Sequence, residues 1–491
     1  MEQTVNLMLI GLGPHAKRIY YPICMSDGKK YGFSLVHCVD LLEKKEDIER
    51  YFIEKNIQGT DVTYVAEEEK TVDKLHPDLE KKLNEIIKRK NISGVIISTE
   101  PLAHVHYAAW ALKNNLHILM DKPLSTAENI NTSPEAVDQI KKDYEFLTEA
   151  YREAKIKNNN LTFSLMAQRR WHPAFIEMKR MIGEVFARTN CPVSSTTSFH
   201  GDGQWRMPTE IIEQDYHPYN QGYGKCSHSG YHSIDIIPWL IRGAENDQKY
   251  IDNADIYSVF STPVDFINQF NTNDYRRIFK NYDEYNKYSD EEFAKKAQDF
   301  GEIDAFNLLA FKQGDRQMTL SSINLAHNGC SQRNWVTAAG RDLYKGNGRV
   351  RHESHYIEQG PFQSIAFVSY QSKEMDLSDK EEDMYDVGGE YHLDVHIFRN
   401  SKLFPDWKAY EKMTIRDMDI RILKGKSRGH QEDARRKSVL EFVSLINGSG
   451  KTSTSDLFDH RDSTMLLYGI YSSALKRRNG ENPMVNINLK K

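Results

Sequence analysis

Cysteine is scarce in this chain and unorganised. The five cysteines, Cys24, Cys38, Cys191, Cys226 and Cys330, are scattered, odd in number and never paired as CxxC. That pattern excludes a disulfide framework and a cysteine-rich zinc site, and it fits a reducing compartment. Long hydrophobic runs are missing too, so no transmembrane helix is expected. No basic segment ahead of a longer apolar run precedes the first strand pattern, so no signal peptide is expected and the chain reads as cytoplasmic. An excess of one charge is also lacking: 65 basic residues face 70 acidic ones. Nothing therefore argues for a nucleic-acid or membrane partner. Repeats are absent, and the one low-complexity patch, "KNNN", reads as a turn.

What is present is length and a change of pattern. The 491 residues suffice for two or three domains, each with its own core. The 26 tyrosines suit surfaces for sugars or other polar ligands. The first third alternates strand and helix: "VNLMLIG", "AKRIYYPICM", "FSLVHCVD", "KKEDIERYFIEK", then "PDLEKKLNEIIKRK", "SGVIIST", "HVHYAAWALKNN" and "LHILM". Strands apolar throughout, alternating with helices, predict a parallel sheet covered on both faces. The helix "SPEAVDQIKKDYEFLTEAYREAKIKN" leads to the strand "LTFSLMAQ" and a helix from "HPAFIEMKRMIG". After about residue 190 the language changes to strands separated by polar turns: "SSTTSFHG", "DAFNLLAFKQ", "QMTLSSINLAHN", "RNWVTAAG" and "KLFPDWKAY". Two helices, "DARRKSVLEFVSLING" and "HRDSTMLLYGIYSSALKRR", and a last strand, "PMVNINL", close the chain. The fold class expected is α/β plus α+β. A doubly wound Rossmann sheet over 1–160 is followed by an α+β domain over 161–491 on an open, mainly antiparallel sheet, with a helical insertion near 265–302.

"GLGPHA", Gly11 to Ala16, follows a strand and opens a helix, the setting of a dinucleotide loop. Gly11 serves the tight turn, Gly13 admits the pyrophosphate, Ala16 lets helix and strand pack, and the helix N-terminus favours an anion. Gly11, Gly13, Pro14 and His15 are thus cofactor-binding candidates. Asp40 ends the second strand, where a carboxylate grips ribose hydroxyls. It sits later than the usual spacing of about 20 residues because "MSDGKKYG" lengthens the loop before it. Asp40 favours NAD, while Lys44 and Lys45 keep NADP as the alternative. The bland reading of Asp40 is a helix cap.

The run "STEPLAHVHYAAWALKNNLHILMDKPLS", residues 98–125, is more specific. It resembles the glucose–fructose oxidoreductase / inositol dehydrogenase / MocA family of NAD(P)-dependent oxidoreductases. That family has Thr-Pro after its fourth strand, a histidine five residues past the Thr, and Glu-Lys-Pro after its fifth. Thr99, His104 and Asp121-Lys122-Pro123 fall at these positions, with Glu100 replacing the first proline and Asp121 the glutamate. "QRRWHPAF", the pair Trp205-Arg206, and "GYGKCSHSGYHSIDIIPWL" continue the likeness, with His228 where the family has aspartate. The resemblance implies cofactor contacts from Thr99, His104, Asp121, Lys122, Trp205 and Arg206. It implies catalysis by Lys122, His232 and Asp235, and substrate contacts from Lys122, His228 and His232. Arg169 is a further substrate candidate, able with Arg170 to meet a carboxylate or phosphate, although a surface salt bridge fits either arginine. The family also implies a sheet that covers the nicotinamide on one face and forms a homodimer or homotetramer through the other.

In that reading Lys122 handles the proton of a substrate hydroxyl beside the nicotinamide. The substrate is a small molecule with a secondary carbinol or ketone: a sugar, cyclitol or sugar derivative. Two alternatives stay open. HxxxH, His228 and His232 with Asp235 one turn on, is expected to put two imidazoles on one helical face, as in a metal-dependent hydrolase or lyase. No Glu follows the first His, no further ligand stands at helical spacing, and Gly230 suits a close backbone approach; no metal is therefore expected. The other alternative is an NAD(P)-binding sensor or scaffold without turnover, which the Glu100 and His228 departures keep open.

Overall fold

A computed structural model describes residues 4–69, 74–214, 219–331, 349–373, 385–422, 430–450 and 452–490. The chain divides into two compact units, both discontinuous: Met1–Thr126 with Ile140–His172 and Gln431–Thr464, and Ala127–Gln139 with Pro173–His430 and Met465–Lys491.

The first unit is built on six strands: β1 (Val5–Ile10), β2 (Phe33–Leu41), β3 (Asp61–Val65), β4 (Ile92–Ile97), β5 (His117–Met120) and β6 (Phe163–Leu165). They lie in the order β3-β2-β1-β4-β5-β6, every neighbouring pair parallel. This is the doubly wound Rossmann order, whose direction reverses between β1 and β4. Strands buried on both faces need helices on both. Leu79, Leu83 and Ile86 of the helix Pro77–Lys90 pack on Met8, Val95 and Ile97. On the other face Val439, Phe442 and Val443 of the late helix His430–Ile446 join Leu7, Leu9 and Ile96. Gly94 makes room for that helix, since a Cβ there would lie 2.9 Å from Ile446 Cδ1.

The first helix is broken, running Pro14–Arg18 and then Tyr20–Tyr31. Pro22, which lacks an N–H, falls in the first turn of the second segment, where none is needed. β3 escaped the pattern reading because it is a five-residue edge strand set between polar stretches, "NIQGT" before it and "AEEEK" after.

Among the described residues the second unit holds nine strands: β7 (Ser195–Gly201), β8 (Asn253–Ser261), β9 (Asp304–Gln313), β10 (Arg316–Ala326), β11 (Arg349–Gln359), β12 (Gln363–Lys373), β13 (Asp394–Arg399), β14 (Tyr410–Thr414) and β15 (Val485–Asn488). Their order is β14-β13-β12-β11-β7-β10-β9-β8-β15. Only β7 and β10 pair in parallel; the other neighbours are antiparallel. The helix Tyr231–Ile241 packs on β7 and β10. Phe306, Leu308, Leu320, Tyr356, Phe398 and Tyr410 are exposed on the strands.

Four short helices occupy the 265–302 region: Pro263–Gln269, Thr272–Ile278, Tyr282–Tyr285 and Asp290–Ala297. Asn271 and Ser289 start two of them with capping boxes, each side chain accepting from the N3 backbone N–H. "KLFPDWKAY" is not the expected strand: it runs as turns until Tyr410. Phe404 and Trp407 pack against each other at a tilt, with the Arg188 guanidinium over both rings, so their apolar surface is used in a turn cluster. "RNWVTAAG" lies outside the described residues.

Candidate active site

The carboxyl ends of β1, β4 and β5 bring the first set of candidates together. Gly11 has φ +89°, and a Cβ there would sit 2.4 Å from the Ser98 carbonyl oxygen. Only glycine lets these two strand ends approach so closely. At Gly13, by contrast, a Cβ would meet nothing within 4 Å, so the loop borders open space where a cofactor phosphate needs it. Pro14 and His15 open the short helix that follows.

Asp40 reaches back to this loop. Its Oδ2 accepts from Leu12 N at 2.6 Å and its Oδ1 from Leu41 N at 2.7 Å. Burial raises its carboxyl above the ordinary range, against the pull of these N–H groups and of Lys17 and Lys44. Lys44 lies 3.6 Å from Glu43 and Lys45 3.8 Å from Glu49.

The loops after β4 and β5 are tied by His104, which is fully buried. Its Nδ1 lies 2.9 Å from the Pro123 carbonyl oxygen and its Nε2 3.2 Å from that of Thr99. Burial lowers the imidazole's pKa, outweighing the carbonyls that favour its charge. His104 thus braces the two loops from behind. Asp121 accepts from the Tyr20 hydroxyl and, at 2.7 Å, from Ser98 Oγ, with His15 Nε2 at 3.9 Å. Burial and the adjacent Asp121 hold the Tyr20 phenol well above its usual range, so it stays a donor. Lys122, next in the chain and half-buried, precedes Pro123 through a cis peptide bond. Glu100 has exposed surface, yet surrounding protein raises its carboxyl while the Lys122 charge lowers it. The unexpected acid and the candidate base therefore feel one another. Arg169 and Arg170 are both buried in the turn Gln168–Trp171, and Arg170 Nη2 donates to the Asp459 carbonyl at 3.2 Å.

In the second unit, His228 and His232 do not share a helical face. The helix begins at Tyr231, and His228 lies in the turn before it. Gly230 closes that turn: its N–H donates to the Lys225 carbonyl at 2.9 Å, and a Cβ would lie 2.6 Å from the same oxygen. His228 is buried against the edge of Tyr223, with ring centroids 5.3 Å apart. His232 is half-buried and Asp235 buried on the helix. Among the described residues no group of three or more His, Cys, Asp or Glu is arranged to hold a metal ion. Trp205 packs among Phe270, Tyr275 and Phe279 of the helical insertion and donates to Tyr275 OH at 3.3 Å.

The pattern reading missed a buried charged cluster in this unit. Lys225 is fully buried and donates to Asp202 Oδ2 at 2.7 Å, to Ser229 Oγ at 3.0 Å and to His200 Nδ1 at 3.0 Å. His327 Nε2 lies 3.3 Å from the same carboxylate and Arg349 Nη2 3.5 Å. Burial alone would raise Asp202, but Lys225, His200, His327 and Arg349 hold it well below the usual carboxylate range. The available signal was a lysine inside the glycine-flanked run "GYGKCSHSG", where a charge needs a partner once the turn is buried.

A glycine turn at the switch point of a 3-2-1-4-5-6 parallel sheet, with an acid at the end of the second strand, defines a dinucleotide-binding class. Residues 53–150 match the family model described as "Oxidoreductase family, NAD-binding Rossmann fold". That match covers part of the Rossmann unit and agrees with the family resemblance that the motifs carry. No curated protein matches the sequence. Solved structures do match in fold. An oxidoreductase domain protein from Kribbella flavida is 13% identical, with 100% of both chains covered and a TM-score of 0.58. A levoglucosan dehydrogenase in complex with NADH and L-sorbose is 13% identical over 99% of each chain, TM-score 0.58. The WlbA dehydrogenase from Bordetella pertussis, in complex with NADH and UDP-GlcNAcA, is 12% identical over 100% of this chain and 99% of that one, TM-score 0.56. No helix among the described residues is long and apolar enough to cross a membrane.

Proposed function

We propose that this chain is an NAD-dependent dehydrogenase or reductase acting at a secondary carbinol or ketone of a sugar, cyclitol or sugar derivative. The observation that carries the proposal is the convergence of the Gly11–Gly13 turn, Asp40 and the braced Asp121–Lys122 pair on one end of the parallel sheet. When bound, the nicotinamide supplies or accepts the hydride. The chain's residues do the rest. Asp40 holds the adenosine ribose, and Lys122 takes or returns the hydroxyl proton at its Nζ. Tyr20, Ser98 and His104 fix the loops that carry Lys122. Arg169 in the first unit, and His228, His232 and Asp235 in the second, are the further candidates for substrate handling. The L-sorbose and UDP-GlcNAcA bound by fold relatives support a carbohydrate substrate. The exposed apolar side chains of the nine-stranded sheet support a homodimer or homotetramer.

The test is formation of reduced nicotinamide, followed by its absorbance, with a panel of sugars, cyclitols and their acids. Failure of NAD to bind at all would overturn the reading. The cofactor preference is a separate expectation. Asp40 is held beside the loop and the nearby lysines have acidic partners, so calorimetry should find NAD bound at least about tenfold tighter than NADP. Asp40→Ala should erase that preference, and tighter NADP binding to wild type would sink it.

A further inference from the structure

We propose that Lys225 is a positioning residue for His232: through Asp202 and Ser229 it fixes the start of the helix that carries this candidate for substrate handling. The inference rests on the dehydrogenase reading and deepens it. Lys225 is completely buried, and an ammonium has three N–H donors. All three are engaged, with Asp202 Oδ2 at 2.7 Å, Ser229 Oγ at 3.0 Å and His200 Nδ1 at 3.0 Å. None is left for a ligand, so this amine is a tie and not a base. The Ser229 hydroxyl donates to the same Asp202 oxygen, which closes a triangle of Lys225, Ser229 and Asp202. His200 lies on β7 and Asp202 directly follows that strand. The triangle therefore anchors the turn before the helix Tyr231–Ile241 to the end of β7.

Local sequence does not set where this helix begins. Its N-cap is Gly230, which offers no side chain to the N–H groups of the first turn. Ser229, one residue earlier, is of the type that caps, yet its hydroxyl is turned to Asp202. Its carbonyl accepts from His232 N at 3.4 Å. Ser229 thus joins the charged cluster, by its side chain, to the backbone of His232. Glu302 also holds the turn. The Lys225 N–H donates to the Glu302 carbonyl at 2.9 Å and the Cys226 N–H to Glu302 Oε1 at 2.7 Å. A Cβ on Gly224 would lie 2.0 Å from that carbonyl oxygen. With the backbone pressed on Glu302, the Asp202 contacts decide the direction in which the helix leaves. Tyr231, the first helical residue, is buried, and His232 is the first after it with exposed surface. An apolar core of similar volume is often as stable as a buried ion pair. What charged hydrogen bonds add is direction, because each donor must meet its acceptor within a narrow range of angles. Asp202 stays ionised to accept them, with His327 Nε2 at 3.3 Å and Arg349 Nη2 at 3.5 Å reinforcing Lys225.

The test uses the full chain with Ser229→Ala, Lys225→Met and Lys225→Arg, and Ser229→Ala also in a His232→Ala background. Ser229→Ala removes one hydroxyl and keeps the Lys225–Asp202 pair, so it loosens the tie in a folded protein. It should lower kcat by ~10- to 100-fold, the scale of a misplacement of up to about 1 Å, with the Kd for NAD unchanged. Lys225→Arg should recover part of what Lys225→Met loses. In the His232→Ala background Ser229→Ala should cost no further turnover, because groups acting through one side chain are not additive. A merely structural tie would add its full cost. The second readout needs no turnover. With histidine rings labelled for NMR, the His232 resonance, identified by its loss in His232→Ala, should move in Ser229→Ala. Those of His37 and His104 in the first unit should stay in place. An unmoved His232 resonance, an unchanged kcat in Ser229→Ala or additive losses would each overturn the assignment. Unchanged turnover with NAD bound leaves the dehydrogenase reading intact. Absence of NAD binding overturns that reading, and the His232 resonance then decides the tie alone.

Discussion

Lys122→Met should lower kcat by ~10²–10⁴, the usual worth of a positioned acid–base group, while the Kd for NAD stays near wild type. Methionine preserves the length and apolar stem of the side chain and removes only the amine. The parts that position residue 122 are untouched: Asp121 keeps Tyr20 and Ser98, and His104 keeps the Pro123 and Thr99 carbonyls. The cofactor contacts around Gly11, Gly13 and Asp40 involve none of these atoms. A loss confined to turnover therefore separates a proton-handling lysine from a structural one. The measurement is steady-state kinetics on whichever carbinol the panel identifies, paired with an NAD titration. Activity within severalfold of wild type would make Lys122 a turn residue.

The parallel sheet was legible because its strands are apolar throughout and its helices periodic. The pattern found "VNLMLI" and "SGVIIS" at the centre and missed "DVTYV" at the edge, where exposure dilutes the signal. In the second unit β9 and β10 alternate buried and exposed residues and were readable. β11 and β12 carry His352, His355, Gln359, Gln363 and Gln371 among their apolar residues, so hydropathy alone does not mark them. Motif spacing picked out candidates that the fold gathers at the carboxyl ends of β1, β4 and β5, since loops at strand ends are local in sequence. The partners of Asp202 were illegible: Lys225, His327 and Arg349 come from separate segments, and only the fold joins them. HxxxH misled for a local reason, because helical spacing applies only inside a helix and Gly230 delays its start.

Glu302→Gln should change how stability depends on pH, by an amount on the order of 3 kcal/mol across the window from acid to mildly alkaline solution. Glu302 is fully buried; its Oε1 accepts from Cys226 N at 2.7 Å and Tyr471 OH at 2.9 Å, and its Oε2 has no partner among the described residues. Burial pushes its pKa up to about 7, against the pull of these donors. An acid whose folded pKa is raised binds its proton more tightly when folded. Its contribution is therefore complete below the unfolded value of about 4.3 and is lost as pH rises towards 7. Above that the wild type carries a buried carboxylate with one bare oxygen. Glutamine keeps the Oε1 acceptor, never ionises, and pays for its amide at every pH alike. Asp202, whose pKa is depressed, titrates below this window, and His327, with its own depressed value, is present in both proteins. Urea unfolding of wild type and variant at matched pH values from 5 to 8 isolates the difference. Relative to wild type, Glu302→Gln should gain stability steadily as pH rises, and parallel profiles for the two proteins would show that Glu302 does not change charge there.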